Sequence, residues 1–312
     1  YFIKKRKFYH MARILITDGM DKSAIAKLKE LGHEVVEQFY EADVLGEAMR
    51  DFDAMVVRSK TKVRAPHIDA AKGSKMKLII RGGVGVDNID VKYAEENGMA
   101  VRNTPCASSA SVAELALAHM FACARYVAIS NFTMRQDKWD KVKYAKGMEI
   151  GGKTLGIIGF GRIGQELGKM AKALGMKVIV TGRTVKPELE EKFGVKYVTM
   201  DELLAQSDAI ILCAPGGDGK ALVDAESIAK MKDGVVIVNV SRGANVNEAD
   251  LLAALNSGKV RAAGLDVWMD EKNPNWELAA HPNVACMPHV GAGTKEAQKR
   301  IGAELVDIVE NF

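Results

Sequence analysis

Residues 154–164, with the sequence Thr-Leu-Gly-Ile-Ile-Gly-Phe-Gly-Arg-Ile-Gly, decide the fold. The apolar first half predicts a buried strand, and residues 159–164 match the spacing G-x-G-x-x-G. Four apolar side chains at helical spacing follow: Ile163, Leu167, Met170 and Leu174. A glycine-rich turn alone is weak evidence, but one between a strand and an amphipathic helix is typical of a dinucleotide-binding βαβ unit.

Each glycine of this turn has its own physical purpose. Gly159 permits the tight turn, Gly161 lets the backbone approach a pyrophosphate, and Gly164 lets the helix pack closely on the strand. The helix N-terminus adds free N–H groups and a partial positive charge, which favour an anion. We therefore expect a nicotinamide dinucleotide to bind at this turn.

The segment after the next strand bears on which dinucleotide binds. NAD sites commonly place a carboxylate here to bind the ribose 2′-hydroxyl, whereas this chain has Gly182, Arg183 and Thr184. Arg183 offers a planar cation that suits a 2′-phosphate, and Gly182 has no charge to repel one. The pattern favours NADP over NAD as the cofactor; the alternative is an arginine on a solvated strand end.

On both sides of the glycine turn, short apolar runs alternate with amphipathic stretches, which predicts parallel sheets covered by helices. The strands predicted before it are Ala12–Thr17, His33–Gln38, Ala54–Arg58 and Lys77–Arg81. A long helix is predicted from Ser109 to about Ile129, with Ser111 and Glu114 as a capping box. The strands predicted from the turn onward are Thr154–Ile158, Lys177–Thr181, Lys196–Val198, Ala209–Ala214, Val235–Val240, Ala262–Val267 and Val284–Met287.

Three side chains with chemical potential follow three consecutive predicted strands: Arg242, Glu271 and His289. We expect them to converge, because ligands bind where the carboxyl ends of parallel strands meet. Oxidation of a 2-hydroxy acid needs a carboxylate clamp, a base for the hydroxyl proton and a hydride acceptor. Arg242 can bind the carboxylate and polarise the C2 oxygen, His289 can exchange the proton, and Glu271 can orient the imidazole. The competing His281 precedes its strand, so it is expected at the opposite edge of the sheet.

Length and composition limit the other classes of protein to which the chain could belong. The chain has 312 residues, of which 48% are hydrophobic and 27% charged, enough for two globular domains. The formal net charge of +4 equals the basic residues 4–7, so residues 11–312 balance and favour no nucleic-acid partner. No apolar run reaches the length of a membrane span. We expect a disordered extension over residues 1–10, a small-molecule substrate, no metal site and a cytoplasmic location.

These motifs together resemble the D-2-hydroxyacid dehydrogenase family, and most of all its D-3-phosphoglycerate dehydrogenase branch, in a short form without regulatory domains. The resemblance runs from about Met11 to Phe312. Besides the glycine turn it depends on residues 81–90 (Arg-Gly-Gly-Val-Gly-Val-Asp-Asn-Ile-Asp), 103–105 (Asn-Thr-Pro), 241–243 (Ser-Arg-Gly), 265–267 (Leu-Asp-Val, followed by Glu271) and 288–291 (Pro-His-Val-Gly).

The resemblance implies an α/β protein with two Rossmann-like domains. A doubly wound dinucleotide-binding domain, residues 108–288, would be inserted into a flavodoxin-like substrate-binding domain, residues 11–107 and 289–312. The crossing segments near Ser109 and Thr294 would act as hinges. Members of the family usually form homodimers through the cofactor domain, and residues 138–141 resemble a segment that can reach the neighbouring subunit.

The resemblance also assigns further residues to the ligands. Towards the cofactor, Arg162 and Ile163 would contact the pyrophosphate and Asp266 the carboxamide. The nicotinamide would be lined by Ala214, Val240, His289, Val290, Gly291 and Ala292, and Val84 would also touch the cofactor. Towards the substrate, backbone N–H groups around Gly83, Val84 and Gly85 would hold the carboxylate. A cationic pocket for a phosphate would comprise Arg58, Ser59, Lys60 and Arg81, unless these belong to a solvated loop.

The reaction expected from these assignments is the oxidation of 3-phosphoglycerate or the reduction of 3-phosphohydroxypyruvate, in serine biosynthesis. The alternative is an NADPH-dependent glyoxylate or hydroxypyruvate reductase, because residues 181–183 resemble NADPH-using members of that group. Formate dehydrogenases pair their histidine with glutamine, whereas this chain has Glu271. A more distant alternative is a non-enzymatic corepressor that senses the dinucleotide, against which the complete set of Arg242, Glu271 and His289 argues.

Overall fold

The computed structural model describes residues 11–216 and 219–312. The predicted N-terminal extension, residues 1–10, lies outside the described residues. Two compact α/β units are present, one of residues 11–108 with Ala292–Phe312 and the other of Ser109–Gly291. Each contains a parallel sheet, which confirms the predicted fold class.

The first unit has a five-stranded sheet with the order β2-β1-β3-β4-β5, which is the flavodoxin-like order. Its strands are β1 Arg13–Ile16, β2 Glu34–Glu37, β3 Ala54–Val57, β4 Leu78–Arg81 and β5 Ala100–Asn103. Its helices are α1 Lys22–Glu30, α2 Ala42–Met49, α3 Ala65–Ala71, α4 Val91–Glu96 and the C-terminal helix Lys295–Glu310. The edge strand β5 was not predicted, because it is short and carries the exposed Arg102.

Alternating side chains of this sheet enter two separate cores, as the two-residue period of a strand requires. Leu15, Met55 and Ile79 pack in one core, while their neighbours Ile14, Val56 and Ile80 pack in the other. Leu305 and Val309 of the C-terminal helix belong to the second core, so this helix covers that face. Each fully buried side chain of this size contributes about 1.5–3 kcal/mol.

The second unit has a seven-stranded sheet with the order β12-β11-β10-β9-β6-β7-β8. This is the doubly wound dinucleotide-binding order with one additional edge strand. The order in which successive strands are added to the sheet reverses between β6 and β9. Its strands are β6 Thr154–Ile158, β7 Lys177–Thr181, β8 Lys196–Tyr197, β9 Ala209–Leu212, β10 Val235–Asn239, β11 Val260–Leu265 and β12 Val284–Cys286. Its helices are α5 Ser109–Arg125, α6 Val127–Met134, α7 Lys141–Tyr144, α8 Arg162–Ala173, α9 Pro187–Phe193, α10 Met200–Gln206, α11 Ala225–Lys230, α12 Glu248–Ser257 and α13 Trp276–Ala280.

Three details of the predicted helices are wrong. The long helix does not continue to Ile129, because Tyr126 adopts φ +58° and α6 leaves α5 at 65°. Ser111 lies inside α5 rather than at its N-cap, since the helix begins at Ser109. In α8 the predicted stripe is displaced: Leu174 is 40% exposed, and the buried positions are Gly164, Leu167, Gly168 and Ala171.

None of the described helices has, by itself, the length and apolar composition needed to cross a membrane; α5 and the bent α6 reach both only as a pair.

Candidate active site

Two glycines of the 159–164 turn are required by the packing of the protein itself. Gly159 adopts φ +97°, and a Cβ there would lie 2.5 Å from the backbone nitrogen of Ala214. A Cβ on Gly164 would lie 2.3 Å from the carbonyl oxygen of Gly159. Any side chain at either position would therefore displace the backbone between β6, β9 and α8.

Gly161 is different, because neither conformation nor packing in the protein requires a glycine there. Its φ is −77°, and a Cβ at this position would meet no atom within 4 Å. Gly161 is the N-cap of α8 and provides no capping side chain, so the first N–H groups of the helix face open space. This opening fits a pyrophosphate, with Arg162 and Ile163 in the first turn of the helix.

Gly182, Arg183 and Thr184 follow β7 and are exposed. A Cβ on Gly182 would have the Phe160 backbone nitrogen, 3.9 Å away, as its nearest neighbour, so a side chain would fit there. The sequence has no carboxylate between Thr181 and Pro187. The strand end thus presents a cation and no anion.

A network of buried polar side chains fixes the loop after β10, which carries Arg242. Asn239 Oδ1 accepts hydrogen bonds from the Ser241 N–H at 3.1 Å and its hydroxyl at 2.8 Å, and Nδ2 donates to the Arg242 carbonyl at 2.8 Å. Asn245 Nδ2 donates to Ser241 Oγ at 2.9 Å and to the Ala214 carbonyl at 3.0 Å. These two bonds join the loop that carries Arg242 to the segment after β9.

His289 follows β12 and is paired with Glu271, which follows β11. Nδ1 of His289 lies 2.5 Å from Oε1 of Glu271. The side chains remain 40% and 49% exposed, so a ligand can still reach the ring. Because the Glu271 carboxylate accepts a hydrogen bond from Nδ1–H, Nε2 is the basic nitrogen of the neutral ring. His289 adopts φ +55°, which is uncommon for a residue other than glycine.

Asp266 holds the turn in which His289 sits. Its side chain is buried, with Oδ1 accepting the Val290 N–H at 2.8 Å and Oδ2 accepting the Gly291 N–H at 2.9 Å. Its carbonyl oxygen accepts the His289 N–H at 2.7 Å. Three consecutive N–H groups therefore converge on this one residue. The contact of Asp266 with a carboxamide stays a prediction.

Burial disfavours the charged form of two groups in the second unit, His119 near Asp266 and Cys213 beside Gly159. Burial lowers the pKa of His119 on α5, although the charge of Asp266 opposes this shift. Burial raises the pKa of Cys213, directly before Ala214, to about 12. His119 packs closely on the sheet, since a Cβ on Gly264 would lie 2.6 Å from that of the histidine.

The residues predicted to form the phosphate pocket lie at the carboxyl ends of β3 and β4 in the first unit: Arg58, Ser59 and Lys60 follow β3, and Arg81 is the last residue of β4. Arg81 Nη2 donates to Ser59 Oγ at 3.1 Å, and the half-buried Arg58 lines a small cavity with Gly82 and Gln298. Lys60 points elsewhere, because its ammonium lies 3.5 Å from the centre of the Phe39 ring. The structure thus brings Arg81 to Ser59 and directs Lys60 to an aromatic face.

The 83–85 segment is held by the last residue of β5, Asn103, and by the next residue, Thr104. Asn103 Nδ2 donates to the Val84 carbonyl at 2.6 Å, and the Thr104 N–H donates to the Gly83 carbonyl at 3.1 Å. The Gly83 N–H is directed to the Arg81 carbonyl at 2.9 Å, which leaves Val84 and Gly85 as candidate donors to a carboxylate. Val84 is 38% exposed.

Comparison with known proteins identifies the family. A profile described as "D-isomer specific 2-hydroxyacid dehydrogenase, NAD binding domain" matches residues 117–291. The chain is 46% identical over 302 residues to a hydroxypyruvate reductase of Thermotoga maritima, covering 95% of this chain and 96% of the relative. The chain belongs to the D-2-hydroxyacid dehydrogenase family.

Other relatives of this dehydrogenase are named for different activities. A D-3-phosphoglycerate dehydrogenase of Methanocaldococcus jannaschii is 42% identical over 302 residues, which cover 96% of this chain and 57% of the relative. The chain therefore spans little more than half the length of that protein. A solved glyoxylate reductase from Paecilomyes thermophila has a TM-score of 0.85 at 34% identity, covering 95% of this chain and 94% of its own. The predicted family and enzyme class are confirmed, and the cofactor is a nicotinamide dinucleotide.

Sequence reasoning missed several residues that shape the dehydrogenase site. From the sequence alone, no function is assigned to Asn239 or Asn245. A buried asparagine at the end of a strand, such as Asn239, indicates a loop held by side-chain hydrogen bonds. Asp18 and Asn88 were likewise not recognised as holding the segment that contains Arg58. Their partners lie 27 to 43 residues away in the chain, so no local motif reveals the contacts.

Proposed function

We propose that this dehydrogenase acts on a phosphorylated 2-hydroxy acid, with 3-phosphoglycerate and 3-phosphohydroxypyruvate as its substrate pair. The supporting observation is the grouping of Arg58, Ser59 and Arg81 at the carboxyl ends of two neighbouring strands of the first unit. Arg242 can bind the substrate carboxylate. The further guanidinium groups of Arg58 and Arg81 can bind a second anionic group of the substrate, the phosphate. The relative from Methanocaldococcus jannaschii, named D-3-phosphoglycerate dehydrogenase, favours the same assignment.

The catalytic proposal follows from the pair of His289 and Glu271. In oxidation, Nε2 of His289 takes the proton of the C2 hydroxyl, and Glu271 stabilises the imidazolium through Nδ1. Arg242 binds the substrate carboxylate and stabilises negative charge on the C2 oxygen. The bound nicotinamide supplies the hydride acceptor, or the donor in the reverse direction.

A second candidate activity is the reduction of hydroxypyruvate or glyoxylate. The relative from Thermotoga maritima, named hydroxypyruvate reductase, favours this activity. Lys60 favours it as well, because its ammonium lies on the Phe39 ring rather than in the predicted phosphate pocket. Arg58→Ala distinguishes the two activities, because loss of a phosphate ligand raises KM for 3-phosphohydroxypyruvate about 10- to 100-fold and changes KM for hydroxypyruvate little. Arg50→Ala, at the end of α2, is the control. An unchanged KM for the phosphorylated substrate in Arg58→Ala would contradict the first proposal.

We also infer that NADP is preferred over NAD. The exposed Arg183 and the open position at Gly182 support a 2′-phosphate site. A structural neighbour described as an acyclic imino acid reductase in complex with NADPH is 28% identical with a TM-score of 0.84. The test is kcat/KM with NADPH and with NADH at saturating 2-oxo acid, and a clear preference for NADH would contradict the inference.

We further infer a homodimer formed through the second unit. Residues 127–142 carry a group of exposed apolar side chains, and exposed apolar surface of this kind can mark an interface with another protein. They are Val127, Phe132, Met134, Trp139 and Val142, each between 50% and 83% exposed. Sedimentation should give a dimer that Phe132→Asp dissociates, whereas Trp276→Asp, at a position 66% exposed outside this group, should not. A wild-type monomer would overturn the inference. A cytoplasmic location stays a prediction.

A further inference from the structure

We propose that Asp18 and Asn88 are positioning residues of the substrate site, which hold residues 58–61 so that Arg58 and Ser59 face the phosphate. This inference rests on the proposed phosphorylated substrate and concerns how that substrate is distinguished from its unphosphorylated analogue.

The place of these residues in the sheet is the first support. The strand order of the first unit reverses between β1 and β3, and open α/β sheets bind ligands outside the carboxyl ends of the strands at such a point. Asp18 follows β1 by two residues, and Arg58 directly follows β3. Asn88 lies in the loop after β4, the next strand of the sheet.

Asp18 binds the donors of the 58–61 segment. Its Oδ2 accepts the Arg58 N–H at 2.7 Å and the Thr61 N–H at 3.0 Å, and its Oδ1 accepts the Thr61 hydroxyl at 2.6 Å. Hydrogen bonds to a carboxylate are roughly twice as strong as those between neutral groups. One side chain therefore fixes both ends of the segment.

Asn88 binds the acceptors of the same segment. Its Nδ2 donates to the Arg58 carbonyl and to the Thr61 carbonyl, both at 2.7 Å. The backbone N–H and C=O groups of residues 58 and 61 are thus all bound by two side chains, from opposite sides. Asn88 is itself held by the bond from the Val63 N–H to its carbonyl, at 2.8 Å.

Ser59 and Lys60, between these two ends, are exposed, and Ser59 carries a hydroxyl that would meet the phosphate. Ser59 Oγ accepts from Arg81 Nη2, and Lys60 lies on Phe39. A rigid segment lowers the cost of binding, since the Arg58 and Ser59 groups need no ordering when the phosphate arrives. Loosening the segment should therefore weaken recognition of the phosphate and leave the chemistry at C2 unchanged.

The test compares Asp18→Asn and Asn88→Ala with Asp53→Asn in the intact enzyme. Asp18→Asn keeps one oxygen for the two N–H donors but removes the negative charge that strengthens these hydrogen bonds, and Asn88→Ala removes both donors. Asp53→Asn is the matched control, because Asp53 Oδ2 accepts the Arg13 N–H at 2.8 Å in the same sheet, before β3 rather than after it. Two readouts are needed: KM and kcat for 3-phosphohydroxypyruvate and hydroxypyruvate, and hydrogen exchange of residues 58–61.

We expect both test variants to raise KM for 3-phosphohydroxypyruvate about tenfold, with kcat and KM for hydroxypyruvate within about twofold of wild type. Amide exchange at Arg58 and Thr61 should accelerate in Asp18→Asn and remain slow in Asp53→Asn. Unchanged exchange in Asp18→Asn would overturn the inference. Faster exchange with an unchanged preference for the phosphorylated substrate would overturn it as well.

Arg58→Ala, measured alongside, separates this inference from the proposed function. If Arg58→Ala raises KM for 3-phosphohydroxypyruvate and Asp18→Asn does not, the positioning role is wrong and the phosphorylated substrate stands. If neither variant changes this KM, both the substrate and the positioning role are wrong.

Discussion

Nδ1 of His289 lies 2.5 Å from Oε1 of Glu271, although 18 residues separate the two in the chain. The contact exists because β11 and β12 are parallel neighbours, so the segments that follow them leave the same edge of the sheet. The carboxylate selects the tautomer in which Nε2 is free to accept a proton, and it stabilises the imidazolium formed in oxidation.

Replacing Glu271 by glutamine should therefore impair chemistry more than binding. Glutamine keeps the size of the side chain but loses the negative charge, so we expect kcat to fall about 100-fold with KM for the 2-oxo acid changed less. Steady-state kinetics with saturating cofactor measure this. Glu277→Gln, on the nearby α13, is the control and should retain wild-type kcat. A wild-type kcat in Glu271→Gln would remove Glu271 from the mechanism.

The Asp266 carboxylate should contribute to stability as well as to activity. Asp266→Asn presents an amide to one of the two N–H groups, of Val290 and Gly291, that the carboxylate now accepts. We expect a loss of about 1–3 kcal/mol in the free energy of unfolding, together with a lower kcat, because the turn of His289 is no longer fixed. Urea unfolding and kinetics check both effects.

Asp270→Asn is the matched control for this substitution, since Asp270 also accepts backbone N–H groups, from Lys272 and Asn273, but in an exposed loop. Its effect on unfolding should be below about 0.5 kcal/mol. Equal losses of unfolding free energy in the two variants would show that the burial of Asp266 does not increase its contribution to stability.

Gly161 and Gly164 should respond in opposite ways to alanine. Gly164→Ala places a Cβ 2.3 Å from the Gly159 carbonyl oxygen and should cost about 1–3 kcal/mol of stability. Gly161→Ala meets no protein atom within 4 Å, so stability should remain within about 0.5 kcal/mol while Kd for the dinucleotide rises about tenfold. Thermal unfolding and fluorescence titration with NADPH distinguish the two. Unchanged affinity in Gly161→Ala would show that the pyrophosphate does not approach this glycine.

The features that the sequence predicted well are those that depend on residues close together in the chain. The strands Thr154–Ile158 and Lys177–Thr181 have the predicted bounds, because each is a continuous apolar run with a clear breaker after it. Parallel topology also predicted that Glu271 and His289 meet, and their side chains do; the convergence of Arg242 with them stays a prediction.

The features that it missed depend on contacts between distant parts of the chain. The break at Tyr126 interrupts an apolar stretch without any glycine or proline to mark it. The bonds from Asn88 to Arg58 and Thr61 cross 30 and 27 residues, and asparagine in a loop is typical of many solvated turns. Such contacts become visible only when the order of the strands is known.

The end of β7 offers a direct test of the cofactor preference. Gly182→Asp should introduce the carboxylate that NAD sites use, and the 3.9 Å to the Phe160 nitrogen leaves room for it. The new charge should repel a 2′-phosphate, so kcat/KM with NADPH should fall about 10- to 100-fold while that with NADH holds or rises. Arg183→Ala should lower the value for NADPH by a similar factor, since a charge-assisted hydrogen bond contributes about 1.5–3 kcal/mol.

The control for these two variants is Lys186→Ala, the N-cap of α9, whose charge lies further along the same exposed segment. We expect it to lower kcat/KM for NADPH less than threefold, because a flexible ammonium at a distance is screened by solvent. If Arg183→Ala and Lys186→Ala have equal effects, the segment attracts the phosphate only by its general charge. If Gly182→Asp leaves the ratio of the NADPH and NADH values unchanged, the 2′-position of the ribose does not lie at this strand end.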